Sequence, residues 1–222
     1  MKTIFIETDI FSFEDFHDKE WFRNLFSMTE GTVIQKEIEE LSAHWWGASR
    51  AFILPWLLVT GVFDSVNSVV PIFDKTKQEF WDEYLKINAF KGSLWKTAEG
   101  AYNSIYYAYE NLVVNLLNKT QARPLRVTKR QFNTTLISEL GVDLANSVWN
   151  HSVVATSKEV KNCLVHNGGK ASRKLKEMRP LPMIENEDIL ISASDVRALY
   201  QELKPRVVKL AKYYLESKDK NK

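Results

Sequence analysis

Lysine, asparagine and histidine fall close together in the stretch EVKNCLVHNGGKASRK, residues 159–174. Gly168 and Gly169 predict a helix that stops just after His166, because glycine enters the left-handed backbone of a helix end at least cost. His166 then sits in the last turn, where unpaired carbonyls and the negative end of the helix dipole favour a cation. Imidazole is the side chain best suited to exchanging protons near neutral pH, so general acid or base chemistry is on offer. Asn162 lies four residues earlier and shares the face of His166. Lys161 lies five residues earlier and reaches toward the same end with its long stem. Val160, Cys163 and Leu164 take the other side and are expected in the core. The same pattern also fits a plain helix stop, in which His166 only caps a carbonyl.

Other chemistries find little support. The remaining histidines, His17, His44 and His151, show no i, i+4 pairing, and no HExxH, P-loop or GxSxG pattern occurs. No metal ligand set and no cofactor motif is therefore expected. The single cysteine, Cys163, rules out an intrachain disulfide and suits a reducing compartment.

Net charge is +2, so the overall balance selects no partner. The distribution is less even. Residues 1–40 carry ten acids against four bases. Residues 119–130 carry five bases and no acid, and residues 158–179 carry seven bases against Glu159 and Glu177. Lys170, Arg173, Lys174 and Arg179 are the expected phosphate contacts if the partner is RNA. The alternative is a solvated surface.

The elements that must position these residues are helical. With 8 Gly and 6 Pro in 222 residues, an all-β or disordered chain is disfavoured. Tyr102, Ile105, Tyr106, Tyr109, Leu112, Val113, Leu116 and Leu117 recur at steps of three and four, which predicts a core helix over 99–119. Val196, Leu199, Tyr200, Leu203, Val207, Leu210, Ala211 and Tyr214 mark a long final helix, capped by Ser194 and expected to bend at Pro205, which lies away from the stripe. Between them, Thr128 with Gln131 opens a helix that stops at Gly141, and Asp143 caps a segment through Trp149. The helix ending at His166 either continues from there or restarts near 151, and 180–193 forms a strand or hairpin arm. Residues 29–41, 43–67 and 74–87 are read as three helices, and residues 1–28 as irregular. The fold class is all-α, an antiparallel bundle over 96–217 with a helical extension over 1–95 and a frayed tail at 218–222. The apolar run 51–63 contains Pro55 and is shorter than the roughly twenty residues of a membrane span, so a soluble cytoplasmic protein is expected. Trp45, Trp46 and Trp56 are read as core, with a partner surface or lid as the alternative.

KNCLVHNGG resembles the terminal motif of HEPN domains, an all-α family associated with nucleotides and RNA. That motif runs from an arginine and a polar residue, often Asn, to a histidine four to six residues after the arginine. The matching positions are Lys161, Asn162, His166, Asn167 and Gly169. Tyr109, Glu110 and Asn111 match a Tyr/Phe-Glu-Asn step of the family's first core helix, and the resemblance covers about residues 99–217. It implies a homodimer with two motifs facing across a cleft. It also implies a metal-independent endoribonuclease of the toxin or defence kind, with His166 as general acid or base and Asn162 as orienter. Glu110 would be functional or would pair with a base. Lys161 stands where the family has arginine, giving a mobile point charge in place of a planar fork. Losing one oriented transition-state donor costs about 2.7–4 kcal/mol in other enzymes. The alternative implied is a non-catalytic dimer that binds RNA, a nucleotide or a protein, the last through its N-terminal region. A helical scaffold with no such site is the third reading.

Overall fold

The computed structural model describes residues 16–69, 88–121, 124–127 and 131–219. Among these, the protein is all-α with one small hairpin: α1 Lys19–Thr29, α2 Gln35–Val69, α3 Asn88–Asn118, α4 Phe132–Leu140, α5 Val142–Val148, α6 Ser152–His166, α7 Arg173–Lys176, β1 Met183–Glu185, β2 Asp188–Leu190 and α8 Ala193–Asp219.

The apolar stripe of α3 is buried along its whole length, from Tyr102 to Leu117, and so is that of α8, from Val196 to Tyr214. Burying these two faces together drives the fold. α2 lies antiparallel to α3: Lys119 meets Glu37 at 2.7 Å, and farther along the Trp45 indole N–H donates to the Ile105 carbonyl at 3.0 Å. α8 runs antiparallel to the α4–α6 segment. Lys209 donates to Ser147, Arg206 contacts His151, and Tyr213 donates to the Glu139 carbonyl. Pro205 sits on the exposed side of α8, so the missing N–H and the ring face solvent. The described N-terminal residues are fastened to the C-terminal helix. Asp18 caps α1 by accepting from the Trp21 N–H, its own N–H donates to the Tyr200 hydroxyl, and its carboxylate meets Lys204 at 2.6 Å.

Several boundaries differ from the sequence reading. Residues 19–28, read as irregular, are helix, with Phe22 and Trp21 packed against Trp45. The expected helix 29–41 begins only at Gln35, because Gly31 (φ 69°) turns the chain between α1 and α2. Val33 is left exposed while Ile34, Ile38 and Leu41 are buried. α2 then continues without a break through the predicted gap at 42 and through Pro55. The predicted helix at 74–87 lies outside the described residues, as does Thr128; Gln131 precedes α4 without a side-chain cap bond. Gly141 (φ 78°) stops α4 as expected and also starts α5, so Asp143 is inside the first turn, not at the cap. α6 restarts after the break, at Ser152, capped by His151 Nδ1. Ser192, not Ser194, caps α8: its hydroxyl accepts from the Asp195 N–H at 3.1 Å while Asp195 accepts from the Ser192 N–H at 2.9 Å. The arm at 180–193 is a two-residue hairpin turning at Asn186 and Glu187, both with positive φ.

Candidate functional site at the end of helix α6

The end of α6 is built by backbone bonds. Asn167 and Gly169 both donate to the Cys163 carbonyl at 3.0 Å, and Gly168 (φ 58°) and Gly169 (φ 81°) take the left-handed conformation that this stop requires. The chain leaving the turn is stitched to the hairpin: the Ile189 N–H donates to the Gly169 carbonyl, and the Ala171 N–H to the Glu187 carbonyl. Ser172 then caps α7 through Leu175 and donates its hydroxyl to Glu159 at 2.7 Å. His166 is therefore carried on a fixed support.

The candidate residues are placed differently from one another. His166 is exposed, and no side-chain hydrogen bond holds it among the described residues. Asn162, one turn earlier, is half-buried. Lys161 turns inward, and its Nζ donates to Glu110 Oε1 of α3 at 3.1 Å with only 17% of the side chain exposed. Tyr109, which the motif resemblance placed beside Glu110, is fully buried and donates to the Val148 carbonyl, so it is a structural strut between α3 and α5. Burial pushes its hydroxyl pKa well up.

The basic stretch is largely cancelled in three dimensions. Lys161, Lys170, Arg173, Lys174 and Lys176 pair with five different carboxylates, those of Glu110, Asp188, Glu177, Glu159 and Glu187. Arg179 donates to the carbonyls of Lys176 and Met178. Lys158 lies 5.1 Å over the Trp149 ring. Burial lowers its pKa and neighbouring Lys174 and Lys161 add to this, while Glu110 opposes them. Glu159 is held below the usual carboxylate range: burial works against this, and the hydrogen bonds from Lys174 and Ser172 outweigh it.

A polar row on α3 went unnoticed in the sequence. Glu99, Asn103, Tyr106 and Glu110 follow at steps of four, three and four, and Glu99 Oε1, Asn103 Oδ1, the Tyr106 hydroxyl and Glu110 Oε2 are buried with no hydrogen-bond partner. Burial and the nearby Glu110 charge push the Tyr106 hydroxyl pKa well up. The four polar or amphipathic residues share one helical line, but Tyr106 also falls on the apolar stripe, which hides the row in the sequence.

Among the described residues no group of three His, Cys, Asp or Glu side chains is placed to hold a metal, and no helix is long and apolar enough to cross a membrane. No family model, curated protein or solved structure matches the chain.

Proposed function

We propose that the protein is an HEPN-like interaction module that pairs two copies through the end of α6 and does not cleave RNA. The observation that carries this reading is the Lys161–Glu110 ion pair, with side chains only 17% and 10% exposed. A charge held by a carboxylate in a poorly hydrated site is a weak stabiliser of phosphate charge developing nearby. The cancelled charges of residues 161–176 point the same way, since counterion release by free cations drives most RNA affinity. Val165 is 53% exposed one turn from Lys161, and Tyr107 is 49% exposed one turn from Glu110, which supplies apolar surface for a second copy. The buried thiol of Cys163 is compatible with the reducing cytoplasm.

A second reading, a metal-independent endoribonuclease of toxin or defence type, is favoured by the unrestrained exposed ring of His166 with Asn162 one turn behind it. In that reaction the imidazole takes the ribose 2′-OH proton, the oxygen attacks the adjacent phosphorus as the bond to the 5′-oxygen breaks, and the 5′-oxygen takes a proton from the imidazolium, directly or through water, to leave as an alcohol. The products are a 2′,3′-cyclic phosphate and a 5′-hydroxyl. The two readings separate in one experiment. Mixed RNA is incubated with fresh protein and a chelator, alongside His166→Ala. The module reading expects intact RNA, a dimer in sedimentation, and dissociation of that dimer by Val165→Asp. Cyclic-phosphate ends that vanish in His166→Ala would establish the nuclease instead.

A further inference from the structure

We propose that the cleft between α6 and α8 binds a linear aliphatic diamine, with one ammonium at Asp195 and the other at Glu202. The cleft encloses about 240 Å³ and reaches down to Tyr102 of α3. Val153, Thr156 and Ser157 line it from α6, Ala198 and Leu199 from α8, and residues 180–182 complete the lining. It lies at the start of α6, away from His166.

The hydroxyl groups of this lining have already used their hydrogens. The Tyr102 hydroxyl donates to Ser157 Oγ at 3.0 Å, Ser157 donates to the Val153 carbonyl at 2.8 Å, and Thr156 donates to the Arg179 carbonyl at 3.2 Å. Burial pushes the Tyr102 hydroxyl pKa well up against the Ser157 hydrogen bond, and the Asp195 charge adds to the rise, so this oxygen stays a neutral hydroxyl. Pro180 and Pro182 bring no N–H. Asp195 Oδ2 accepts the Ser192 N–H at 2.9 Å and its hydroxyl at 2.7 Å, and Glu202 Oε2 meets Arg206 at 3.0 Å. The second oxygen of each carboxylate accepts no hydrogen bond among the described residues. No Lys, Arg, His, Asn or Gln lines the cleft among them either. Its side chains therefore offer lone pairs and negative charge, and a ligand seated there has to supply the donors. An ammonium is all donor, whereas an anion is repelled.

Spacing sets the length. Asp195 and Glu202 stand seven residues apart on one face of α8, about 10 Å along the helix. Ala198 and Leu199 lie between them and face the apolar atoms of Val153, Pro180 and Leu181. A hydrocarbon chain with a cation at each end matches that order. A cavity of about 150 Å³ takes benzene, so the cleft takes about ten non-hydrogen atoms. Arg206 occupies one oxygen of Glu202, so Asp195 supplies the larger share of the attraction. Glu202 and Pro180 are exposed, which leaves the ion pairs hydrated and makes binding weak and salt-sensitive.

Isothermal titration of the full chain at low salt compares octamethylenediamine with octylamine, octanediol and trimethylenediamine. The long diamine is expected to saturate at one per chain. Octylamine and the short diamine are expected to bind about tenfold more weakly, and the diol to give no heat. Asp195→Asn is expected to weaken the long diamine about tenfold and Glu202→Gln about threefold. Ala198→Leu, which fills the cleft from an exposed helix position, is expected to abolish binding while the melting temperature holds. Asp195 also caps α8, so where Asp195→Asn lowers the melting temperature the other two variants decide. No saturable heat, equal affinity for the two diamines, or binding that survives Ala198→Leu overturns the proposal.

Discussion

Helix α3 has two sides held by different forces. On one, Ile105, Tyr109, Leu112 and Leu116 are buried among apolar neighbours, and Ile105 also receives Trp45. On the other, Glu99, Asn103, Tyr106 and Glu110 bring polar atoms into buried positions, and of these four residues Glu110 meets Lys161 of α6. The apolar side gains stability from area removed from water and is indifferent to the exact partner. The polar side depends on Glu110 keeping Lys161, because a buried charge left alone loses its hydration without compensation. The end of α6 is thus positioned by the side of the molecule least tolerant of single changes.

The contrast can be broken first on the apolar side. Trp45→Ala removes a fully buried ring and its bond to Ile105, and is expected to cost about 3–5 kcal/mol in urea unfolding. A cost below that of a surface change would show that α2 is not part of the core. On the polar side, Lys161→Met leaves Glu110 buried and unpaired, at an expected cost of about 3 kcal/mol. Adding Glu110→Leu is expected to recover most of that loss. Equal additive losses in this cycle would mean that the two groups do not act as a pair.

Smaller effects sharpen the picture. Asp18→Ala is expected to cost about 1 kcal/mol through the lost cap of α1. The Lys204 hydrogen bond, helped by the Trp21 N–H, lowers the Asp18 pKa. The folded state therefore binds the proton less well than the unfolded chain. The stabilisation is complete above the ordinary aspartate range and is lost as pH falls through the lowered value. Tryptophan fluorescence of Trp21 is expected to report loosening of α1 in acid, and Asp18→Asn to abolish that pH dependence. Smallest of all, Lys174→Ala breaks a pair whose lysine is 70% exposed. Less than about 1 kcal/mol is expected in thermal unfolding, and a larger loss would mean that Glu159 depends on this partner.

The two sides were unequally legible in the sequence. The stripes of α3 and α8 recur at helical spacing, so Tyr102, Leu116, Val196 and Leu210 announced their own burial. The stop after His166 was legible because Gly168 and Gly169 sit where left-handed backbone is needed. The partners of Lys161 and Lys174 were not, since they lie 51 and 15 residues away in the chain. Only the packing of α3 on α6, and the turn that brings α7 back beside α6, decide which carboxylate each lysine meets. Local capping rules also misjudged two starts: Asp143 lies inside the first turn of α5 after Gly141, and of Ser192 and Ser194, both good cap residues, the position of Asp195 selects Ser192 for α8.

The knot of Asp18, Tyr200 and Lys204 joins residues more than 180 positions apart. During synthesis α1 emerges first, and its cap partner and docking surface on α8 emerge last. The tie between α1 and α8 therefore cannot form until nearly the whole described chain has left the ribosome, although Trp21 and Phe22 can pack on Trp45 of α2 before then.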